Sequence, residues 1–441
     1  MNKTAKCGKK RMMEYSKSAE ETISSAAVDY DETPALPSKL KTLNRENILK
    51  CFRDGKEHTA SDISGMTGIS KITTMRAVRF FCEKGVLETR GKAHQTKAGG
   101  KYPELFRINV RQYILSIAIW SGVISFTLMD FGGTVIDQSV YSDINTLKMT
   151  MDEILNFVTK RLALFQEKVG IAKDEVYGVF VSTSGIIDYQ KKRIIYNAQA
   201  PGWGKNVYLL EPIKKLFGKH THFFLDNGGK VIARALLLDP VIRQKRVMLI
   251  TTSWGISGCF ISNGKILNGK TSLIGEVGHM TIDINDKEQC NCGSYGCLER
   301  LVDIRRIRED IETRQLPPDS KLNGIPKDQI DEKLLFRLAS QGDETSQRYV
   351  HYLADCFAYA LRNISLVFDP QIVVFVGDYA YAGEFFDKCI RSKLNEFRYY
   401  SDENTFDIVY EQRTMLEMDY TGAAVAIEDH YFSNPELYEG E

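Results

Sequence analysis

The sequence predicts two unlike parts: a small, mainly helical head of winged helix-turn-helix type, residues 43–110, and a long α/β region, residues 111–430, that carries a metal knot. Three observations predict it. A helical stretch, a glycine turn and a second helical stretch follow one another from Thr59 to Glu83. From Tyr113 onward, apolar strand-like runs alternate with helical periodicity. One histidine and three cysteines crowd into positions 279–297.

At 441 residues the chain is long enough for two or three domains, and 43% apolar residues support real cores. A formal net charge of +1 points neither to nucleic acid nor to a membrane, although such an average can hide one basic module. Of nine cysteines, three belong to the knot and the others are scattered singly. That is the pattern of a reduced, metal-using cytoplasmic protein and not of a disulfide framework. No stretch approaches the roughly 18–20 apolar residues of a membrane span, so no membrane partner is expected.

Residues 1–42 are polar and are expected to form a disordered arm. Asn44–Arg53 carries Ile48, Leu49 and Phe52 at helical spacing. A second short helix should start near Thr59 with a polar cap, and Thr67-Gly68-Ile69 should turn the chain. Ser70 should cap a third helix through about Glu83, ended by Gly85. Val86–Thr89 and Leu105–Ile108 read as two strands around a loop, which makes the wing. Between Thr89 and Pro103 there is no acid, but there are Arg90, Lys92, Lys97 and Lys101. Lys71, Arg76 and Arg79 lie on the third helix. Such cations suit phosphate contacts on double-stranded DNA. Ser70, Lys71, Thr73 and Thr74, in the first turn of that helix, are expected to meet base edges. A helical protein-interaction module is the competing interpretation.

In the α/β region, Tyr113–Ile119, Val123–Met129 and Val135–Tyr141 read as three successive strands, followed by a helix from about Leu147 to Val169. Val176–Ser182 is a further strand. Phe223–Leu225 leads through Asp226-Asn227-Gly228-Gly229 into a helix ending near Leu238. Val247–Thr252, Gly258–Ile261 and Ile372–Val376 are strands, and Asp419–Glu428 reads as a packed closing helix, with residues 431–441 as a tail.

His279, Cys290, Cys292 and Cys297 make a complete tetrahedral set for Zn²⁺, and Gly293 and Gly296 let the chain fold back so that Cys297 closes the shell. No ligand position stays open, so a structural zinc is expected. Glu276 and Glu299 flank the knot, which would hold both carboxylates in a fork suited to sugar hydroxyls; solvated surface acids are the plain alternative.

Glu-x-Gly-His followed by Cys-x-Cys-Gly-x-x-Gly-Cys-x-Glu is similar to the zinc signature of the ROK family of repressors, uncharacterised frames and sugar kinases. Leu43-Asn44-Arg45, Thr67–Ser70 and Gly99–Pro103 resemble the DNA-binding head of ROK repressors, in which the glycine-rich wing tip lies close to DNA. The resemblance covers roughly residues 43–430. It implies an actin-like (RNase H-like) sugar-kinase fold with two lobes, 111–235 and 236–430, around a cleft. It also implies a sugar site built from Glu276, His279 and Glu299.

The kinase motifs of the family fare worse. The first phosphate loop, Asp-x-Gly-Gly-Thr, corresponds here to Ala118–Gly122, with Ala118 for the Asp and Trp120 for the first glycine. Asp130–Thr134 matches that motif but follows the second strand, and reads as a hairpin turn. The second loop is Ser253–Cys259, with Trp254 inserted and only two of five glycines left; the late Gly-Gly is Val376-Gly377. The catalytic aspartate falls on Asn227, an amide without useful basicity, and Asp226, one residue earlier on a strand, should point to the other face. Losing a general base costs about 10²–10⁴-fold. Asp226 and Asn227 remain candidates for sugar hydroxyls, and Asn197 is a loose match to another family sugar contact. The expectation is therefore a sugar-responsive DNA-binding regulator, a repressor of carbohydrate-utilisation genes. It would act on an operator as a homodimer or dimer of dimers, with a small-molecule sugar as effector and with no ATP bound. The alternative is an active ATP-dependent sugar kinase.

Overall fold

The computed structural model describes residues 37–92, 102–142, 144–253, 255–397 and 406–438. The first helix, α1, spans Pro37–Lys50, so residues 37–42 are helical although their polarity had placed them in the arm. The Lys and Leu residues of this segment are strong helix formers. The rest of the expected arm lies outside the described residues.

Helix α2 (Ala60–Thr67) starts at Thr59, whose hydroxyl accepts from the Asp62 amide while the Asp62 carboxylate accepts from the Thr59 amide at 2.8 Å. Helix α3 (Lys71–Glu83) starts at Ser70, whose hydroxyl accepts from the Thr73 amide. Its buried stripe is Thr74, Ala77, Val78 and Phe81. Strands β1 (His58–Thr59), β2 (Leu87–Lys92) and β3 (Glu104–Ile108) form an antiparallel sheet in the order β1-β3-β2.

The next sheet is built from β4 (Tyr113–Trp120), β5 (Val123–Met129), β6 (Val135–Tyr141) and β7 (Val176–Thr183), with β10 (His222–Asn227) beyond a small hairpin of β8 (Ile186–Asp188) and β9 (Arg193–Tyr196). Its order is β10-β7-β4-β5-β6; β5 is antiparallel to β4 and β6, and β7 is parallel to β4 and β10. Helix α4 (Met151–Val169), capped by Thr150 and Glu153, covers one face. The second sheet holds β11 (Val247–Thr252), β12 (Ile256–Ser262), β13 (Lys265–Ile266), β14 (Ile372–Gly377) and β15 (Asp407–Glu411) in the order β13-β12-β11-β14-β15. Counted from its own first strand, each sheet reads 3-2-1-4-5 with the same parallel and antiparallel pairs. One topology is therefore used twice.

Helix α5 (Gly228–Leu236) leaves the first sheet at Asn227 and precedes the second sheet in the chain. The last helix, α6 (Met415–Phe432), was expected to close the second lobe. It packs instead on α5, β4 and β7. Its small residues Gly422, Ala423 and Ala424 allow that approach: a Cβ on Gly422 would fall 1.8 Å from the carbonyl oxygen of Val231. The expected tail is not free either. Tyr438 is buried, Arg45 Nη1 donates to its carbonyl at 2.7 Å, and Lys84 Nζ donates to the Glu436 carbonyl at 2.6 Å.

One hydrophobic cluster joins head and first lobe: Ile48, Leu49, Phe52, Val78 and Phe81 pack with Ile114, Met129, Phe131, Ile427, Phe432 and Tyr438. Asp130–Thr134 is the expected turn, its Asp130 carboxylate accepting from the Gly132 and Thr134 amides at 2.9 Å each. The turn rests on the head: a Cβ on Gly55 or on Gly132 would lie 3.1 Å from the Cα of the other. Among the described residues no helix is long and apolar enough to cross a membrane.

Candidate functional site

The knot brings its four expected ligands together. The ligand atoms of His279, Cys290, Cys292 and Cys297 all lie within 4.8 Å of one another. His279 Nδ1 is 3.6 Å from Cys290 Sγ, and Cys292 Sγ is 3.7 Å from Cys297 Sγ. A tetrahedral Zn²⁺ with bonds of about 2.3 Å to sulfur has edges of roughly 3.8 Å, so the donor set fits such an ion. The fold-back depends on Gly296: at φ 68° it takes a left-handed turn, and a Cβ there would meet the Asp283 carbonyl oxygen at 1.8 Å. Cys290 and Cys297 are buried and Cys292 is exposed.

The knot aims two acids at the space between the lobes. His279 turns Nδ1 to the cysteines and leaves Nε2 3.9 Å from Glu276 Oε2. Burial, with Glu299 nearby, raises the Glu276 carboxyl above the usual range, and His279 opposes that shift. Glu299 follows Cys297 on a single helical turn, Leu298–Leu301. Its Oε2 accepts from the Ile256 amide at 2.7 Å, and its Oε1 lies 3.5 Å from Gln199 Nε2 of the first lobe. Ser121 in turn donates to Gln199 Oε1 at 3.3 Å. A Cβ at Gly255 would lie 2.2 Å from Gln199 Nε2 and 2.7 Å from Glu299 Oε2, so any larger residue there would push these two side chains aside. Ser121, Gln199 and Glu299 therefore tie the lobes across the cleft. Sequence reasoning passed over Gln199, which lies two residues after the weakly singled-out Asn197. Asn197 is buried, with Nδ2 donating to Ser184 Oγ at 2.9 Å.

Asp226 is a correction. Its side chain is buried and bound to Arg234 Nη2 at 2.8 Å, with the other oxygen accepting from the Asn227 amide. As strand alternation requires, it faces away from its neighbour, and both its oxygens are engaged within the protein. Asn227 is largely spent as well: it caps α5 by accepting from the Gly229 amide at 2.9 Å, and its Nδ2 donates to the Gly185 carbonyl at 2.8 Å. Trp120 is buried at the end of β4, its Nε1 3.2 Å from Ser182 Oγ. A Cβ on Gly228 would lie 3.1 Å from that nitrogen, so the indole fills the space before α5. Ala118 is fully buried in the sheet. Trp254 lies outside the described residues.

Asp378 follows Gly377 and hydrogen-bonds Ser253, and its carboxyl is raised chiefly by burial, with Lys333 opposing the shift. Glu332 beside it is pushed up to about 7, first by burial and then by Asp378 and Asp331. Neither acid stood out in the sequence, because they meet from segments far apart in the chain.

On the head, Ser70, Lys71, Arg76 and Arg79 are exposed, and Thr73 is half-buried with its hydroxyl 3.0 Å from that of Ser70. Among the described residues Lys71, Arg76 and Arg79 form no ion pair. Thr74 is a second correction: it is fully buried and donates to the Ile69 carbonyl at 3.4 Å, one position round the helix from the solvent face. In its place stands Ile72, 69% exposed in the first turn of α3. Its signal in the sequence was an apolar residue out of step with the buried stripe. Lys97 and Lys101 lie outside the described residues.

The chain is 28% identical over 292 residues to a glucokinase of Thermotoga maritima, an alignment covering 64% of this chain and 90% of that one. It is 22% identical over 365 residues to a xylose repressor of Caldicellulosiruptor bescii, covering 81% and 88%. Among solved structures, a ROK transcriptional regulator described as a homologue of the Escherichia coli MLC protein superposes with a TM-score of 0.69 at 19% identity, over 91% of this chain and 100% of that one. That likeness bears on the fold, which is of the actin-like kinase type with a helical N-terminal region. The family model for ROK proteins matches residues 116–428, most of the chain, and the protein belongs to the ROK family.

Proposed function

We propose that this chain is a sugar-responsive, DNA-binding transcription regulator, a repressor in the simplest form, in which a kinase-type fold serves as sensor. In this reading the head is a winged helix-turn-helix and α3 its recognition helix. Lys71, Arg76 and Arg79 meet phosphates, and Ser70, Ile72 and Thr73 stand next to base edges. Zinc in the knot is structural and fixes Glu276, His279 Nε2 and Glu299 as the sugar-binding wall. The regulator works in the cytoplasm as a homodimer on a two-fold related operator. Relatives named as xylose repressors support the assignment.

The observation that carries it is the indole of Trp120, buried against the start of α5, where the family's kinases need a phosphate loop. With an amide at 227 instead of a carboxylate base, a triphosphate would meet the bulk of an indole where it needs glycine amides, and its acceptor sugar would lack a base. The 28% identity to a glucokinase favours the rival reading, an active sugar kinase. A coupled assay of ADP release, run with Mg-ATP and a panel of hexoses and pentoses, separates the two. No turnover above background is expected; sugar-dependent ADP release would restore the kinase.

A further inference from the structure

The outward face of α3 carries one side chain that does not belong with the rest. Ile72, Arg76 and Arg79 follow one another at i, i+4 and i+7, so they form a single stripe along the helix, with Ile72 at its N-terminal end. The stripe of Thr74, Ala77, Val78 and Phe81 lies on the opposite side, and its apolar members pack into the core of the head. Ile72 takes no part in that core: it is 69% exposed, and the two arginines below it are exposed as well.

The hydroxyls of the same turn are already engaged. Ser70 Oγ accepts from the Thr73 amide and lies 3.0 Å from Thr73 Oγ1, and Thr74 donates to the Ile69 carbonyl at 3.4 Å. The side chain at the tip of a cationic stripe is therefore a branched hydrocarbon. A hydrophobic partner would need that apolar surface to continue along the helix, but the stripe goes on into two guanidinium groups, which match phosphates. On the floor of the DNA major groove one base carries a methyl group, at C5 of thymine, beside edges that otherwise present donors and acceptors. A recognition helix brings its N-terminal residues closest to those edges.

We infer that Ile72 selects thymine: its side chain packs on the 5-methyl group of a thymine in the operator, while Arg76 and Arg79 hold phosphates beside it. The inference rests on the DNA-binding reading and deepens it, by naming the base that the head prefers and the group it reads. The competing role for Ile72 is that of an ordinary exposed apolar residue, blind to the base in front of it.

A uracil scan decides between them, on an operator that the full chain selects from random duplex DNA. Each thymine in turn is replaced by uracil, which removes the methyl group and leaves the hydrogen-bonding edge unchanged. On the unmodified chain at least one replacement should weaken binding by about three- to tenfold, the loss expected for one buried methyl. Ile72→Ala alters an exposed side chain and should unfold at the same midpoint as the unmodified chain. It should bind the thymine operator about as weakly as the unmodified chain binds the uracil one, and it should no longer respond to that replacement. The inference is overturned if no thymine is sensitive to loss of its methyl group. It is overturned equally if Ile72→Ala keeps the full response at the sensitive position, since another side chain would then read the methyl. Should Ile72→Ala fail to fold, Ile72→Gln takes its place in the same comparison. Absence of any specific operator would sink the DNA-binding reading and this inference with it, whereas specific binding without methyl sensitivity would sink this inference alone.

Discussion

Asp419 is fully buried on α6, its Oδ2 within 3.4 Å of Ser116 Oγ on β4, and a hydrogen bond to Ser182 links it to the hydroxyl that accepts from Trp120. Burial pushes its carboxyl up to about 7, against the ordinary carboxylate value of 3.8. A group raised in the folded state contributes stability that is complete below the unfolded value and is lost as pH rises through the folded one. Asp419→Asn should therefore match the unmodified chain near pH 4 and exceed it at pH 8 by roughly 1–3 kcal/mol, read from urea unfolding at the two pH values. The knot makes the opposite kind of prediction. Cys297→Ser removes a buried ligand, so zinc measured by atomic emission should fall from one per chain to a small fraction, with a lower midpoint of unfolding. The knot ligands were legible because their spacing is local, from His279 to Cys297, and that chemistry has few other uses. Thr74 and Asp226 were misjudged for the complementary reason. Whether the Thr74 side chain faces solvent, and that Asp226 meets Arg234 on the far face of its strand, depend on packing that neighbouring letters do not encode.

At the scale of elements, caps and turns carried most of the information. Thr59 and Ser70 start their helices and Gly68 ends the first, each by a side chain or a backbone freedom written at that position. The strands of both sheets were readable as apolar runs. Their shared 3-2-1-4-5 order was not, because register and crossover are settled by partners far apart in the chain, such as Ser116 with Phe180 and Leu249 with Val374. Helix α3 holds the element-scale prediction. Arg76 and Arg79 are exposed and lie on the face opposite the buried stripe. Replacing either with Ala should lower DNA affinity uniformly across sequences and reduce the slope of log affinity against log salt by about 1. An unchanged slope in binding isotherms between 50 and 200 mM salt (about a tenfold effect expected for two contacts) would remove α3 from the DNA interface.

At the scale of the whole molecule, head, first lobe and chain terminus behave as one packed unit. Arg53 connects them: it reaches Glu428 at 3.8 Å, pairs with Asp429 and lies over the Phe432 ring. Burial pushes the Glu428 carboxyl up to about 8, with Arg53 opposing the shift. Little of this junction was legible in advance, because its parts come from residues 45–81, 114–132 and 424–438, and only folding brings them together. A head fixed to the first lobe follows any motion between the lobes. Such motion would be governed at the cleft, where Glu299 of one lobe meets Gln199 of the other. Ligand binding there can shift DNA affinity only as far as the ligand prefers one arrangement over the other. The most direct test is a binding isotherm of the full chain on an operator selected from random duplex DNA, measured alone, with Mg-ATP, and with each of a panel of neutral and acidic sugars. The account predicts specific binding at 150 mM salt, an affinity change of about 5–150-fold with one sugar, and no change with Mg-ATP. Specific binding that no sugar alters, or that Mg-ATP alters in place of a sugar, would contradict it.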